Sequence, residues 1–128
     1  MTARTCVLLV YTAMLLGSSF VPMPASSSPQ AAHGLLHPSV QNLLHIPAFG
    51  ILWGLLISLM RDKGGTISGQ VLLAAAIAFG VGILMEIIQI PVPGRYASFM
   101  DVALNSMGIL CGVLIFVCSR FLFQDIRG

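Results

Sequence analysis

Charge is what this chain has least of. Only ten of its 128 residues are Asp, Glu, Lys or Arg, a share of 8%, against about 25% in ordinary soluble domains. So few ionic groups exclude a soluble fold of this size, because they cannot cover its surface. The net charge of +2 is small and scattered, which excludes a nucleic-acid partner. Cysteine is scarce too. Cys6, Cys111 and Cys118 are odd in number and lie within or beside apolar stretches, so a disulfide framework is not indicated, and no Cys/His spacing suggests zinc. Cys111 and Cys118, seven apart, read as small core residues on one helical face. There is no Gly-rich phosphate loop, no serine nucleophile elbow and no His-Glu-x-x-His motif, so no cofactor is expected. His33 and His37 are four apart, but Gly34 and Pro38 oppose the helix that would make them a metal pair, and no metal site is expected.

Apolar length is what the chain has in abundance. Hydrophobic residues make up 57% of it and the mean hydropathy is +0.97. A membrane-spanning helix needs roughly 20 apolar residues, and four stretches qualify, at about 5–21, 43–60, 69–90 and 99–123. None alternates as a barrel strand would. Gly64-Gly65 and Pro91-x-Pro93-Gly94 break the chain between the later stretches, and a Pro/Ser/Ala-rich loop occupies 22–42. The expected fold is therefore an all-α integral membrane protein, a four-helix transmembrane bundle in one domain over 1–128. The first stretch has a second reading, a signal segment cleaved at the small residues Ala25 to Ser28. Arg4, Arg61, Lys63, Arg120 and Arg127 fall on one side of the four spans and only Arg95 on the other. Basic residues mark the cytoplasmic side, so both termini are expected inside and the 22–42 loop outside.

Between the last two stretches runs a polar string, Glu86-x-x-Gln89-x-Pro91-x-Pro93-Gly94-Arg95-x-x-Ser98-x-x-Asp101-x-x-x-Asn105-x-x-Gly108. Ionisable groups are costly in hydrocarbon and are retained there for a reason. Ala75, Ala78, Gly82, Glu86 and Gln89 share one face of the third helix, and Asp101, Asn105, Gly108, Gly112 and Ser119 share one face of the fourth. Small-residue faces allow close approach, so these two helices are expected to pack as an antiparallel pair, with Gly50, Gly54 and Ser58 making a similar stripe on the second. His45, in the first turn of the second helix, joins the same layer. The candidate ligand-binding set is His45, Glu86, Gln89, Arg95, Asp101 and Asn105.

Each member also has a structural reading. Ser98-x-x-Asp101 fits a capping box. Glu86 lies about four residues, roughly 6 Å at 1.5 Å rise, inside its helix end, where capping does not account for it. Arg95 can reach back to neutralise Glu86 and Asp101, and Gln89 and Asn105 can bond across the helix pair. His45 can be interfacial only. Trp53 reads as lipid-facing or core packing.

The string from Glu86 to Gly108, preceded by Asn42-Leu43-Leu44-His45 and Phe49, resembles the VanZ-like family, small bacterial membrane proteins related to the teicoplanin-resistance protein VanZ. The resemblance covers roughly 41 to 118. It departs from the family where Gln41 and Asn42 replace an Asp-Lys pair found in many members. The resemblance implies a multi-pass protein of the bacterial cytoplasmic membrane and a role in glycopeptide resistance. Three functions fit the residues. The preferred one is a non-enzymatic factor binding a cell-envelope component, such as a membrane lipid or lipid-linked precursor, at the outward cluster. The second is an enzyme in which His45 or Glu86 is the general base, Asp101 orients it and Arg95 holds an anionic lipid-linked substrate. The third is a small proton-coupled exporter using Glu86.

Overall fold

A computed structural model describes residues 2–21, 42–95 and 97–125, and the loop residues His33, His37 and Gln41 lie outside them. Four helices account for most of these residues: α1 (Ala3–Ser18), α2 (His45–Met60), α3 (Ile67–Gln89) and α4 (Phe99–Asp125). No strand occurs among the described residues.

Local chemistry sets the helix limits. Thr2 caps α1, its hydroxyl accepting from the Thr5 amide at 3.3 Å. Thr66 does the same for α3 at the Gly69 amide, at 3.2 Å. Side-chain oxygens here satisfy amides that have no partner within the helix. A single 3-10 turn, Arg61–Lys63, leads from α2 into Gly64 and Gly65. Both glycines have positive φ, 74° and 102°, which lets the chain reverse at once into α3. Gly94, at φ 77°, makes the second reversal, between α3 and α4.

The shortest described helices contain the surprise in the packing. α2 is central and contributes Phe49, Leu52, Trp53, Leu56 and Ile57 to the core, joined by Ala74, Ala78 and Met85 from α3 and Ile109 from α4. Trp53 is therefore a core residue, set edge-on to Phe116 at 5.7 Å. The most extensive helix contact is α2 with α4, not α3 with α4. Gly50 and Gly108 meet there backbone to backbone: a Cβ at Gly108 would overlap the Ile46 carbonyl, and one at Gly50 would lie 3.2 Å from the Gly108 oxygen. The third and fourth helices do pack together, as expected, Gly82 meeting Asn105, but the Gly108 part of the fourth helix's small face turns to α2. A bulky central helix needs glycine on its neighbour, and α4 supplies it. Gly54 is not part of the close approach, since nothing lies within 4 Å of a Cβ there.

α1 is tied along α2. Tyr11 donates to the Ala48 carbonyl at 3.0 Å, and Arg4 pairs with Asp62 at 2.7 Å, both side chains largely exposed. The pair is weak on its own for that reason. Cys111 and Cys118, expected in the core, are exposed on the outside of α4, as Cys6 is on α1.

The outer surface of the bundle is apolar. Leu72, Leu73 and Ile87 on α3, Ile90 just after it, and Leu114, Ile115, Phe121 and Leu122 on α4 are all more than half exposed. α3 and the span Phe99–Leu122 of α4 are each long and apolar enough to cross a membrane. α1 and α2 have 16 residues each, about 24 Å at 1.5 Å per residue, somewhat less than a hydrocarbon core of about 30 Å.

Candidate functional site

The polar string gathers at the end of the bundle where α1 and α3 finish and α2 and α4 begin. Glu86 is 6% exposed, Gln89 3% and Asn105 1%. Two hydrogen bonds organise them.

The first corrects the reading of both acids. Glu86 Oε2 accepts from the Ser98 amide at 2.9 Å, while the Ser98 hydroxyl accepts from the Met100 amide at 3.2 Å. Ser98 is the residue before α4, so its hydroxyl caps the helix as expected, but the other half of the capping box comes from Glu86 on α3 and not from Asp101. Glu86 is therefore a capping residue after all, for the following helix rather than its own. The hairpin is closed from within by this bond.

The second joins His45 to Asn105, Nδ1 to Oδ1 at 2.8 Å. A carbonyl oxygen only accepts, so His45 carries its proton on Nδ1 and leaves Nε2 as a lone pair when the ring is neutral. The ring lies parallel to Phe49, with centroids 6.5 Å apart and planes 5° apart. Asn105 thus bonds to His45 on α2, and no bond joins it to Gln89 among the described residues. Space for the amide comes from Gly82, where a Cβ would stand 3.0 Å from Asn105 Nδ2 and 3.2 Å from the Phe49 ring.

Arg95 departs from expectation. Its Nε donates to the Val21 carbonyl at 3.0 Å, tying the hairpin to the chain leaving α1. It forms no ion pair with Glu86 or Asp101, although Arg95, His45 and Asp101 all lie within electrostatic reach of Glu86. Three atoms of the cluster are buried and have no partner among the described residues: Glu86 Oε1, Asp101 Oδ1 and Asn105 Nδ2. Ser19, fully buried at the end of α1, has a hydroxyl in the same condition. The Ser98 cap was legible in the chain, but its bond to Glu86, the stacking of Phe49 on His45 and the role of Val21, whose partner is 74 residues away, were not read from it.

The arrangement offers two carboxylate oxygens and one amide N–H, with a guanidinium at the edge. No group of three or more His, Cys, Asp or Glu able to hold a metal occurs among the described residues.

Two helices long and apolar enough to cross a membrane, taken with the family match that follows, make this a helical membrane protein. The chain belongs to the VanZ/LLP1 family, whose family model matches residues 7–123. The match begins inside α1 and so takes in more of the chain than the string and α2 alone. No curated protein and no solved structure matches.

Proposed function

We propose that the protein crosses the bacterial cytoplasmic membrane four times, with both termini inside, and binds a polar lipid or lipid-linked envelope precursor at the hairpin-end cluster. The observation that carries the binding reading is the trio of buried atoms with no partner among the described residues, Glu86 Oε1, Asp101 Oδ1 and Asn105 Nδ2. Each such group costs about 1–3 kcal/mol if nothing meets it, and native structures keep few of them, commonly where a site needs them. Binding is favoured over catalysis by the bonds that are formed. Glu86 Oε2 is committed to the α4 cap, and the Ser98 hydroxyl accepts from a backbone amide. This reading counts α1 in the bundle, and its ties to Ala48 and Asp62 support it. Altered sensitivity to glycopeptides such as teicoplanin belongs to the proposal and rests on the family alone.

In native mass spectrometry from mild detergent, the wild type is expected to carry a discrete polar-lipid adduct that Glu86→Gln weakens. Wild-type protein free of any lipid adduct would overturn the binding reading.

Orientation has its own test. Arg4, Arg61, Lys63 and Arg120 stand at the end opposite Arg95, and basic residues stay inside. In a cysteine-free background, Ala97→Cys is expected to react with an impermeant thiol reagent added to intact cells. Reaction only after the membrane is broken would reverse the topology and put the cluster in the cytoplasm.

A further inference from the structure

The proposed site has a pattern that narrows its ligand. Glu86 Oε1 and Asp101 Oδ1 are acceptors that meet no donor among the described residues, and they belong to acids near enough to repel one another. Asn105 Nδ2, a donor with no acceptor among the described residues, fills the space left by the missing side chain of Gly82, where α3 and α4 adjoin. Arg95 stands at the edge, held by Nε to Val21 and paired with neither acid. A water molecule could meet two acceptors and one donor, but it brings no positive charge to two neighbouring carboxylates in a low-dielectric layer. A bare metal ion would compensate them, yet the Asn105 N–H presents a hydrogen where a ligand oxygen is needed. A purely anionic headgroup would suit Arg95 and be repelled by the acids.

A primary ammonium answers both requirements on the acid side, since it carries one positive charge and three donors. A phosphate answers Arg95, whose guanidinium matches its oxygens. An aminoethyl ester supplies, two carbons from the nitrogen, the oxygen that the Asn105 amide lacks. We propose that the cluster receives a 2-aminoethyl phosphate headgroup, its ammonium donating to Glu86 Oε1 and Asp101 Oδ1 and its phosphate facing Arg95. The headgroup of phosphatidylethanolamine and free phosphoethanolamine share this chemistry. The inference rests on the cluster being a binding site and adds what it binds.

The test uses the full chain in mild detergent, offered an equimolar mixture of phosphatidylethanolamine, phosphatidylcholine and phosphatidylglycerol and read by native mass spectrometry. Phosphatidylethanolamine is expected to be enriched roughly tenfold over the other two, the ratio that one charge-assisted hydrogen bond supplies. Glu86→Gln, and separately Asp101→Asn, should each remove most of that preference. Asp101→Asn serves as the second variant because Asp101 is not the α4 cap. Equal binding of phosphatidylcholine would overturn the proposal, since a quaternary ammonium has no N–H to donate. Preference for phosphatidylglycerol would also overturn it, while leaving lipid binding at the cluster intact. Absence of every lipid would remove both readings. An ethanolamine preference unchanged in both variants would place the site elsewhere and overturn the assignment. Displacement of the lipid by millimolar phosphoethanolamine would support the chemistry and identify the headgroup alone as sufficient.

Discussion

Gly108→Ala is expected to be the most damaging single-methyl change in the protein. Its Cβ would meet the Ile46 carbonyl carbon and Cα at 3.0 and 3.1 Å, with the carbonyl oxygen nearer still. These are backbone atoms of the central helix, so no side chain can rotate out of the way and α2 and α4 must separate. Overpacking of this kind costs about 1–3 kcal/mol, and a rigid backbone obstacle puts Gly108→Ala at the upper end. Thermal unfolding in detergent should therefore move well below the wild type. The same helices provide graded controls. Gly50→Ala, with its nearest contact at 3.2 Å, should lose less, and Gly54→Ala, with open space, should lose nothing or gain from alanine's better helix propensity. If Gly108→Ala and Gly54→Ala melt together, the close α2–α4 crossing is not the packing the protein uses.

Glu86 is expected to separate its two oxygens by mutation. In Glu86→Ala the Ser98 amide loses its acceptor, and the α3–α4 hairpin loses its internal closure. The loss of a partly buried cap should lower stability by about 1–2 kcal/mol. In Glu86→Gln the amide oxygen can still accept from Ser98, while an NH2 replaces the unpartnered Oε1. That variant should unfold close to the wild type and accumulate normally. It should nevertheless fail to restore envelope function in a deletion strain, scored on a panel of envelope-targeting antibiotics at matched protein levels. Complementation by Glu86→Gln with failure by Glu86→Ala would make Glu86 a cap and nothing more.

Arg95 shows how a sound local argument can miss. Two acids and one arginine in an apolar layer invite neutralisation, and the hairpin puts all three within reach. What decides the outcome is the chain leaving α1, which presents the Val21 carbonyl to Arg95 Nε. The consequence for experiment is direct: Arg95→Ala should loosen α1 from the hairpin, not create newly unpaired acids.

The sequence by itself determined the helices, the polar layer and the residues in it. Apolar runs of helical length, broken at Gly64-Gly65 and Pro93-Gly94, follow from composition and backbone chemistry that act within a few residues. The burial of Glu86, Gln89 and Asn105 at one end likewise follows from their spacing on two helices joined by a short hairpin. Tertiary structure alone decided the partners. Glu86 capping Ser98, Asn105 holding His45, Arg95 seizing the α1 exit, and the glycines of α4 opening toward α2 all join atoms distant in the chain. The physical reason is that helical periodicity orders each helix about its own axis and says nothing of which neighbour that face will meet. Here the bulk of Phe49 and Trp53 put α2 at the centre, and every other face turned to it.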